Sequence, residues 1–408
     1  MNRDRFNLLP IAVAASLAAS SPLFAQSLVE ALAGGQTGLD LRYRTEVVDE
    51  DGFDADAEAS TLRTRLNYRS GAWRGLTAFV ELADVREVIL DDFNAGAGST
   101  PGRSRFPVVA DPEDTRLNQA WLAFAPSQQL TLRGGRQRIK LDNDRFVGNV
   151  GWRQNEQTYD GGSLEWNDGR WNLFYSYVAQ VNRIFDSDVP AGQHDHDTHL
   201  LNASLVLNPG HQLAAYFYRI EDEDQQVLSN RSIGIRYTGK AQIRAETSLD
   251  WLLEFAHQSE TGNAPVDIDA SYFHARLRLN LNPYLQPAAG FERLEGSRRA
   301  GAAFRTPLAT LHAFNGWADR FLVTPAAGLD DAYLQLTGSQ GRLAWKVSWH
   351  HFSTETGSTT LGNEWDGSLN ISLHETTSLL LKAAYFDDND GSVRGVAKFW
   401  TMLSFRLP

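Results

Sequence analysis

The fold is decided by a strict alternation in residues 365–373, which read Trp365, Asp366, Gly367, Ser368, Leu369, Asn370, Ile371, Ser372 and Leu373. Every second residue is apolar or glycine, and the residues between them are polar. Because a β-strand sends successive side chains to opposite faces, such a segment builds one apolar wall and one polar wall. Residues 62–69 repeat the pattern with arginine in the polar phase: Leu62, Arg63, Thr64, Arg65, Leu66, Asn67, Tyr68 and Arg69.

About 18 segments of this kind follow one another, each roughly 9–13 residues long, which is the length of a tilted membrane strand. They begin near Leu39, Ser60, Gly75, Thr115, Leu130, Gln157, Arg170, Asp197, His211, Ser229, Thr247, Ile268, Tyr284, Leu329, Gly341, Gly362, Thr377 and Arg394. The pattern predicts an all-β fold, a transmembrane antiparallel up-and-down β-barrel of about 18 strands with lipid outside and water inside.

The connections between these segments alternate in length. The short ones contain Asn, Asp, Gly, Pro and Ser, which is turn chemistry; they lie at residues 70–72, 167–169, 208–210, 281–283 and 338–340. The long ones lie at residues 48–59, 86–114, 140–156, 182–196 and 295–328. Short periplasmic turns and long external loops are typical of outer-membrane barrels, and this order places both chain ends on the periplasmic side.

The first 25 residues have the pattern of a secretory signal peptide. Arg3 and Arg5 supply a positive start, residues 8–19 are apolar, and Ala25 is a small residue before the cut. The apolar run is too short to span a bilayer as a helix. We therefore predict a signal peptide at residues 1–25 and a single barrel domain at residues 26–408, located in the bacterial outer membrane.

Composition narrows the partners of the chain. The formal net charge is −12, and removal of the signal peptide takes away one further positive charge, which argues against nucleic acid as a partner. There is no cysteine, so neither a disulfide framework nor a thiolate metal site can form. The expected partners are outer-membrane lipid and lipopolysaccharide around the wall, and a small anionic solute or anionic oligosaccharide inside it.

The polar phase of the strands carries many basic residues, which we expect to line the pore. They are Arg42, Arg44, Arg63, Arg65, Arg69, Arg236, Arg276, Arg278, Lys346, Lys398 and Arg406. The same phase carries the acidic residues Asp40, Glu46, Glu81, Glu165, Asp250, Glu254, Glu292, Asp331 and Asp366. Rings of arginine and lysine select anions, and a guanidinium matches a carboxylate in two contacts. The alternative for each arginine is that it pairs with a lumen carboxylate and only braces the barrel.

The segment at residues 131–138 does not keep one phase. Leu132 points outward, and under strict alternation Arg136 would do the same. A β-bulge at Gly134 and Gly135 would flip the phase and bring Arg136 and Arg138 into the lumen.

Metal and enzyme chemistry have weak signals. Residues 194–199 read His194, Asp195, His196, Asp197, Thr198 and His199. These imidazoles and carboxylates could bind a divalent metal, but they lie in a predicted external loop, where incidental polar clusters are commoner. No nucleophile elbow, phosphate loop or zinc-protease motif occurs. We expect no metal, no cofactor and no enzymatic activity.

Two stretches resemble the alginate-export family of outer-membrane barrels. One is GRQR at residues 135–138, continued by LDN at 141–143 and RFVGNVGWRQNEQT at 145–158. The other is TPLATLHAFNGWAD at residues 306–319. The resemblance, which runs from Leu39 to the C-terminus, implies an 18-stranded barrel with an arginine-rich lumen that passes anionic polysaccharide.

The resemblance also implies site residues. Arg136 and Arg138 match its motif as substrate-contacting residues. The longest loop, at residues 295–328, is expected to fold over or into the mouth; its candidate constriction residues are Phe304, Asn315, Trp317 and Asp319.

One departure from the family bears on function. The alginate exporter has a long periplasmic gating loop near its C-terminal end, whereas the corresponding connection here is only His374, Glu375 and Thr376. Three functions remain: a passive channel for anionic solutes of the uronate type, a dedicated exporter of an anionic polysaccharide, and a non-conducting binding or structural barrel. Of these we favour the passive channel and expect a monomer, with the direction of transport and the exact substrate left open.

Overall fold

The computed structural model describes residues 27–297, 299, 301–389 and 391–408, so the predicted signal peptide lies outside the described residues. A short helix, α1 (Leu28–Ala33), precedes 18 strands. The strands are β1 (Gln36–Glu50), β2 (Ala57–Arg69), β3 (Leu76–Asp92), β4 (Asp114–Phe124), β5 (Leu130–Gln137), β6 (Thr158–Asn167), β7 (Trp171–Asn182), β8 (Gln193–Asn208), β9 (His211–Ile220), β10 (Asn230–Arg244), β11 (Thr247–Ser259), β12 (Asp269–Asn280), β13 (Gln286–Leu294), β14 (Leu329–Gln340), β15 (Leu343–Ser353), β16 (Thr360–His374), β17 (Thr377–Asp388) and β18 (Val396–Leu407).

The strands form a closed antiparallel barrel. Each strand pairs with its neighbours in the chain, and β1 also pairs with β18, so that Leu39 lies opposite both Leu66 and Leu407. The predicted 18-stranded up-and-down barrel is therefore confirmed. Closure leaves no strand edge unpaired, which a hydrocarbon environment demands.

The two walls follow the alternation in the sequence. In β16, Trp365 is 57% exposed on the outer face, whereas Asp366 is 3% exposed inside the barrel. The same division holds in β2, where Leu66 is exposed on the outer face and Arg65 is buried on the inner face. The outer wall is thus apolar and the inner wall polar.

The short and long connections lie at opposite ends of the barrel. At the short-turn end, α1 packs beside the turn after β2, and the backbone N–H of Gly71 donates to the carbonyl of Ala31 at 2.8 Å. The turn between β16 and β17 has only two residues, 375 and 376. No helix among the described residues is long and apolar enough to cross a membrane.

Three strand boundaries correct the sequence interpretation. β8 begins at Gln193 rather than near Asp197, so His194 and His196 belong to a strand and not to a loop. Because residues 193–197 are all polar, their alternation between the two faces of the strand is not visible in the sequence. The register shows it, since His194 lies opposite Val181 of β7. The connection predicted at residues 48–59 shortens to 51–56 because β1 and β2 extend beyond the membrane-length core.

The hydrophobic core lies inside the barrel, where two long loops meet. Loop 138–157 and loop 295–328 form a parallel bridge between Val147 and Leu308. The ring centre of Phe146 lies 5.4 Å from that of Tyr272 of β12 and 5.9 Å from that of Phe304 in loop 295–328. External loops therefore fold back and cross the lumen.

Candidate functional site in the barrel lumen

An arginine row, defined as Arg42, Arg63, Arg65 and Arg138, borders a cavity of about 540 Å³. Arg42 on β1 lies directly opposite Arg63 on β2, and Arg65 follows on the same inward face. Arg138 comes from the start of loop 138–157, just after β5 ends at Gln137. The cavity is also lined by residues at the short-turn ends of β1, β2 and β18, so it faces the periplasmic end of the barrel.

The arginine row is only partly bonded. Arg63 donates to the carboxylate of Asp40, and Arg42 Nη1 donates to the carbonyl of Gly151 at 3.1 Å. The Nε groups of Arg42, Arg63 and Arg65, and Nη1 of Arg63, are buried and have no protein partner. A buried donor without a partner costs free energy, so the hydrogen-bonding groups of the row are not saturated by contacts within the described part of the protein.

Glu156 anchors loop 138–157 to the arginine row. Its carboxylate lies 3.5 Å from Arg65 Nη1 and accepts from Arg138, which also donates to Glu81 on β3. Burial alone would raise the pKa of Glu156, but Arg65 and Arg138 hold that pKa at about 2, against an ordinary value of 4.5. The glutamate is therefore ionised at neutral pH and offsets part of the positive charge.

A second cavity of about 530 Å³ shares Arg138 with the first. Arg236 of β10 lines it and pairs with Glu254 of β11 at 3.0 Å. Arg133 of β5 also lines this cavity, and its guanidinium lies 4.6 Å from the ring centre of Trp121. Sequence reasoning omitted Arg133, although strict alternation from the outward Leu132 places it inside.

A third group of cations lies on the opposite side of the barrel. Arg276 and Arg278 of β12 and Lys346 of β15 form no ion pair with any carboxylate in the described part of the chain, and both arginines have a buried Nε without a partner. Lys346 Nζ lies 4.7 Å from the ring centre of Trp317. These three residues stand where the alternation predicted them, on the inner wall.

Arg44 is a brace rather than a free lumen cation. Its Nη1 donates to Asp111 at 2.8 Å, its Nη2 donates to the carbonyl of Trp152, and its guanidinium lies 4.4 Å from the Trp152 ring centre. The side chain is 1% exposed. It fixes loop 93–113 and loop 138–157 against β1.

The expectation for Arg136 was wrong. The register between β4 and β5 runs without a shift through Ala120 opposite Arg136, so Arg136 shares the outward face of Leu132. Gly135 has φ of +121°, and a Cβ there would lie 2.3 Å from the Ala120 carbonyl oxygen, so glycine permits close strand approach rather than a phase change. Arg136 forms a two-contact pair with Asp160 at 2.7 and 2.8 Å.

The residues expected at a constriction lie buried inside the barrel. Phe304 stacks at 5.5 Å on Tyr272. Asn315 accepts from Arg145 at 3.0 Å and donates to Glu292 of β13 at 2.7 Å. Loop 295–328 is thus tied to the inner wall and to the other loop.

Asp319 joins both loops to β18. It accepts from His312 at 2.7 Å, from Arg153 at 3.2 Å and from Lys398 at 3.1 Å. Burial opposes ionisation of Asp319, but His312 and Lys398 hold its pKa well below the ordinary range. Burial lowers the pKa of His312, so a neutral imidazole donates from Nδ1 to the carboxylate. Lys398, which was predicted to line the lumen, is therefore already ion-paired to Asp319 within this network.

Lys382 of β17 is a central residue that sequence reasoning missed. Its Nζ lies 3.7 Å from the ring centre of Trp317, 4.0 Å from that of Trp152 and 2.6 Å from His312 Nε2. Alternation along β17 places Lys382 on the inner face. The sequence did not indicate this, because Leu380, which lies on the same face, is apolar. Arg145 and Arg153 were also missed as site residues, because a loop has no periodicity to read.

A closed 18-stranded barrel with an apolar outer wall, a polar lumen that carries many arginines, and infolded external loops defines the class of outer-membrane, porin-like channels. The protein is located in the bacterial outer membrane. Its sequence matches the family model described as alginate export over residues 35–299, and the chain belongs to that family. No curated protein matches the chain in sequence.

Solved structures share the fold. OccAB2 of Acinetobacter baumannii has 17% identity and a TM-score of 0.72, with 93% of this chain and 99% of that chain covered. OpdL of Pseudomonas aeruginosa has 15% identity and a TM-score of 0.70, with 92% and 99% covered. OpdK of Pseudomonas aeruginosa, solved with vanillate, has 15% identity and a TM-score of 0.70, with 92% of this chain and 99% of that chain covered.

Proposed function

We propose that this channel passes anionic solutes passively, with uronate-type oligosaccharides as the substrate class, and that it catalyses no reaction. The observation that carries the proposal is the arginine row, whose incompletely bonded guanidinium groups border a cavity of about 540 Å³. A carboxylate is the acceptor that a guanidinium fork matches best. A uronate unit carries one carboxylate and several hydroxyls, which suits the mixed basic and acidic lining.

The distribution of lumen cations supports passage rather than tight capture. The row lies on β1, β2 and the start of loop 138–157, whereas Arg276, Arg278 and Lys346 lie on β12 and β15. An anion that leaves one group meets another, and passage requires binding sites that are weak and multiple. The neighbour OpdK was solved with vanillate, which carries a carboxylate; this agrees with an anionic solute.

Export of an anionic polysaccharide is the second candidate, favoured by membership in the alginate export family. Against a gated exporter stands the two-residue turn between β16 and β17, which is too short to close the periplasmic end. The constriction instead comes from loops 138–157 and 295–328, which cross the lumen from the external side. This arrangement favours a pore without a periplasmic gate.

The test is block of single-channel current in planar bilayers by a uronic acid trimer, compared with a neutral trisaccharide. We expect the uronate to block at concentrations at least tenfold lower. The double variant Arg63→Gln and Arg65→Gln should lose this preference, while the matched control Arg136→Gln, on the outward face, should keep it. Equal block by both sugars in the wild type, or an equal effect of the control, would refute the proposal.

A further inference from the structure

A cluster of metal-ligating side chains lies at the external mouth, apart from the arginine row. His194 and His196 of β8 face inward at alternate positions, and Asp222 of loop 221–229 meets them. Each of the three residues is at most 4% exposed. We propose that His194, His196 and Asp222 form a binding site for a divalent transition metal of the Zn²⁺ class.

The spacing of the ligand atoms fits one ion. One ligand atom from each residue can be chosen so that all lie within 4.8 Å of one another. His196 Nε2 lies 3.6 Å from Asp222 Oδ2, too far for a hydrogen bond. Two ligands of a tetrahedral Zn²⁺ are roughly 3.3 Å apart when the bonds are about 2.0–2.1 Å. His194 Nδ1 is 2.7 Å from the same oxygen and needs only a small outward shift to share the ion.

A buried nitrogen atom is a second observation that points to a ligand. His196 Nε2 is buried and has no hydrogen-bond partner among the described residues. His196 Nδ1 is 3.0 Å from Thr198 Oγ1. If that nitrogen carries the proton, Nε2 presents its lone pair toward Asp222. Two lone pairs facing each other repel unless a cation lies between them.

The carboxylate is already oriented for this role. Asp222 Oδ1 accepts from the backbone N–H of Gln225 at 2.7 Å and of Asp224 at 3.1 Å, which leaves Oδ2 for the imidazoles. Such outer contacts orient metal ligands in proteins. Arg183 interacts with Asp222 and His196 and opposes a cation. Its guanidinium donates to the carbonyl of Pro307 at 3.4 Å, so it lowers affinity without replacing a ligand.

The donor set selects the metal class. Two imidazole nitrogens and one carboxylate oxygen suit Zn²⁺ and its neighbours, whereas Ca²⁺ and Mg²⁺ prefer oxygen ligands. An ion here would pin loop 221–229 against β8 at the mouth. The strand separates the histidines and carboxylates of residues 194–199 into two groups. His194 and His196 face inward, whereas Asp195, Asp197 and His199 lie on the outward face of β8.

The experiment is isothermal titration calorimetry of the detergent-purified, chelator-treated full barrel with ZnCl₂ and, separately, with CaCl₂. We expect one Zn²⁺ per chain and at least tenfold weaker Ca²⁺ binding. His196→Gln and Asp222→Asn should each weaken Zn²⁺ binding at least tenfold.

The matched control is His199→Gln on the same strand, where Nδ1 contacts Tyr175 rather than the cluster; it should bind Zn²⁺ like the wild type. Altered gel migration on heating verifies that each variant is assembled. No Zn²⁺ binding by the wild type, equal binding of Ca²⁺, or unchanged affinity in both cluster variants would overturn the proposal.

Discussion

At the residue scale, inward arginines range from braces that are ion-paired to loop carboxylates to side chains that form no ion pair with the described residues. Arg44 is ion-paired to Asp111 and its guanidinium lies over the ring of Trp152, whereas Arg276 forms no ion pair within the described ranges. Alternation tells which face a residue occupies, but the distinction between brace and free group depends on partners in distant loops. Arg44 and Asp111 lie 67 positions apart, and no local pattern links them.

The phase of β16 gives a prediction at this scale. Leu369→Arg should strongly reduce the amount of heat-modifiable barrel in the outer membrane, because a charge on the lipid face near the midplane costs about 2–4 kcal/mol. Asn370→Arg, one position along and facing the lumen, is the matched control and should assemble normally. Equal assembly of both variants, measured by shifted gel migration before and after boiling, would show that the phase is wrong.

At the scale of elements, the strands could be predicted from the sequence and the loops could not. Two-residue periodicity marks strands such as β16 directly, and the length of each connection marks the two ends of the barrel. The path of loop 138–157 across the lumen depends on contacts such as Arg145 with Glu292, 147 positions apart. The sequence interpretation placed His194 and His196 in a loop, although they belong to β8. Where a strand extends beyond the membrane, its residues are polar on both faces, and such a segment resembles a loop in sequence.

Anchoring of loop 138–157 by Glu156 predicts a pH dependence. The folded-state pKa of Glu156 is held at about 2, below the ordinary 4.5, so its stabilisation is present above pH 4.5 and lost as pH falls toward 2. We expect single-channel conductance to rise over this window as the loop loosens. Glu156→Gln should show the raised conductance already at pH 7 and little further change. A flat wild-type response, with Glu156→Gln indistinguishable at pH 7, would exclude this anchor.

At the scale of the whole molecule, two charge distributions oppose each other. The chain has a net charge of −12, and its external connections are acidic, as in residues 221–224. The arginine row and the cations of β12 and β15 lie instead in a narrow, poorly screened lumen. Exposed charges are screened beyond about 8 Å at ~0.15 M salt, so we expect the lumen cations to decide which ions pass.

The most direct measurement is the reversal potential of the wild-type channel in a planar bilayer under a KCl gradient. We predict a potential with the sign of chloride selectivity, shifted toward zero when Arg63 and Arg65 are both replaced by Gln. A potential with the sign of potassium selectivity would contradict the role assigned to the lumen arginines, and a bilayer that shows no conductance would contradict the channel itself.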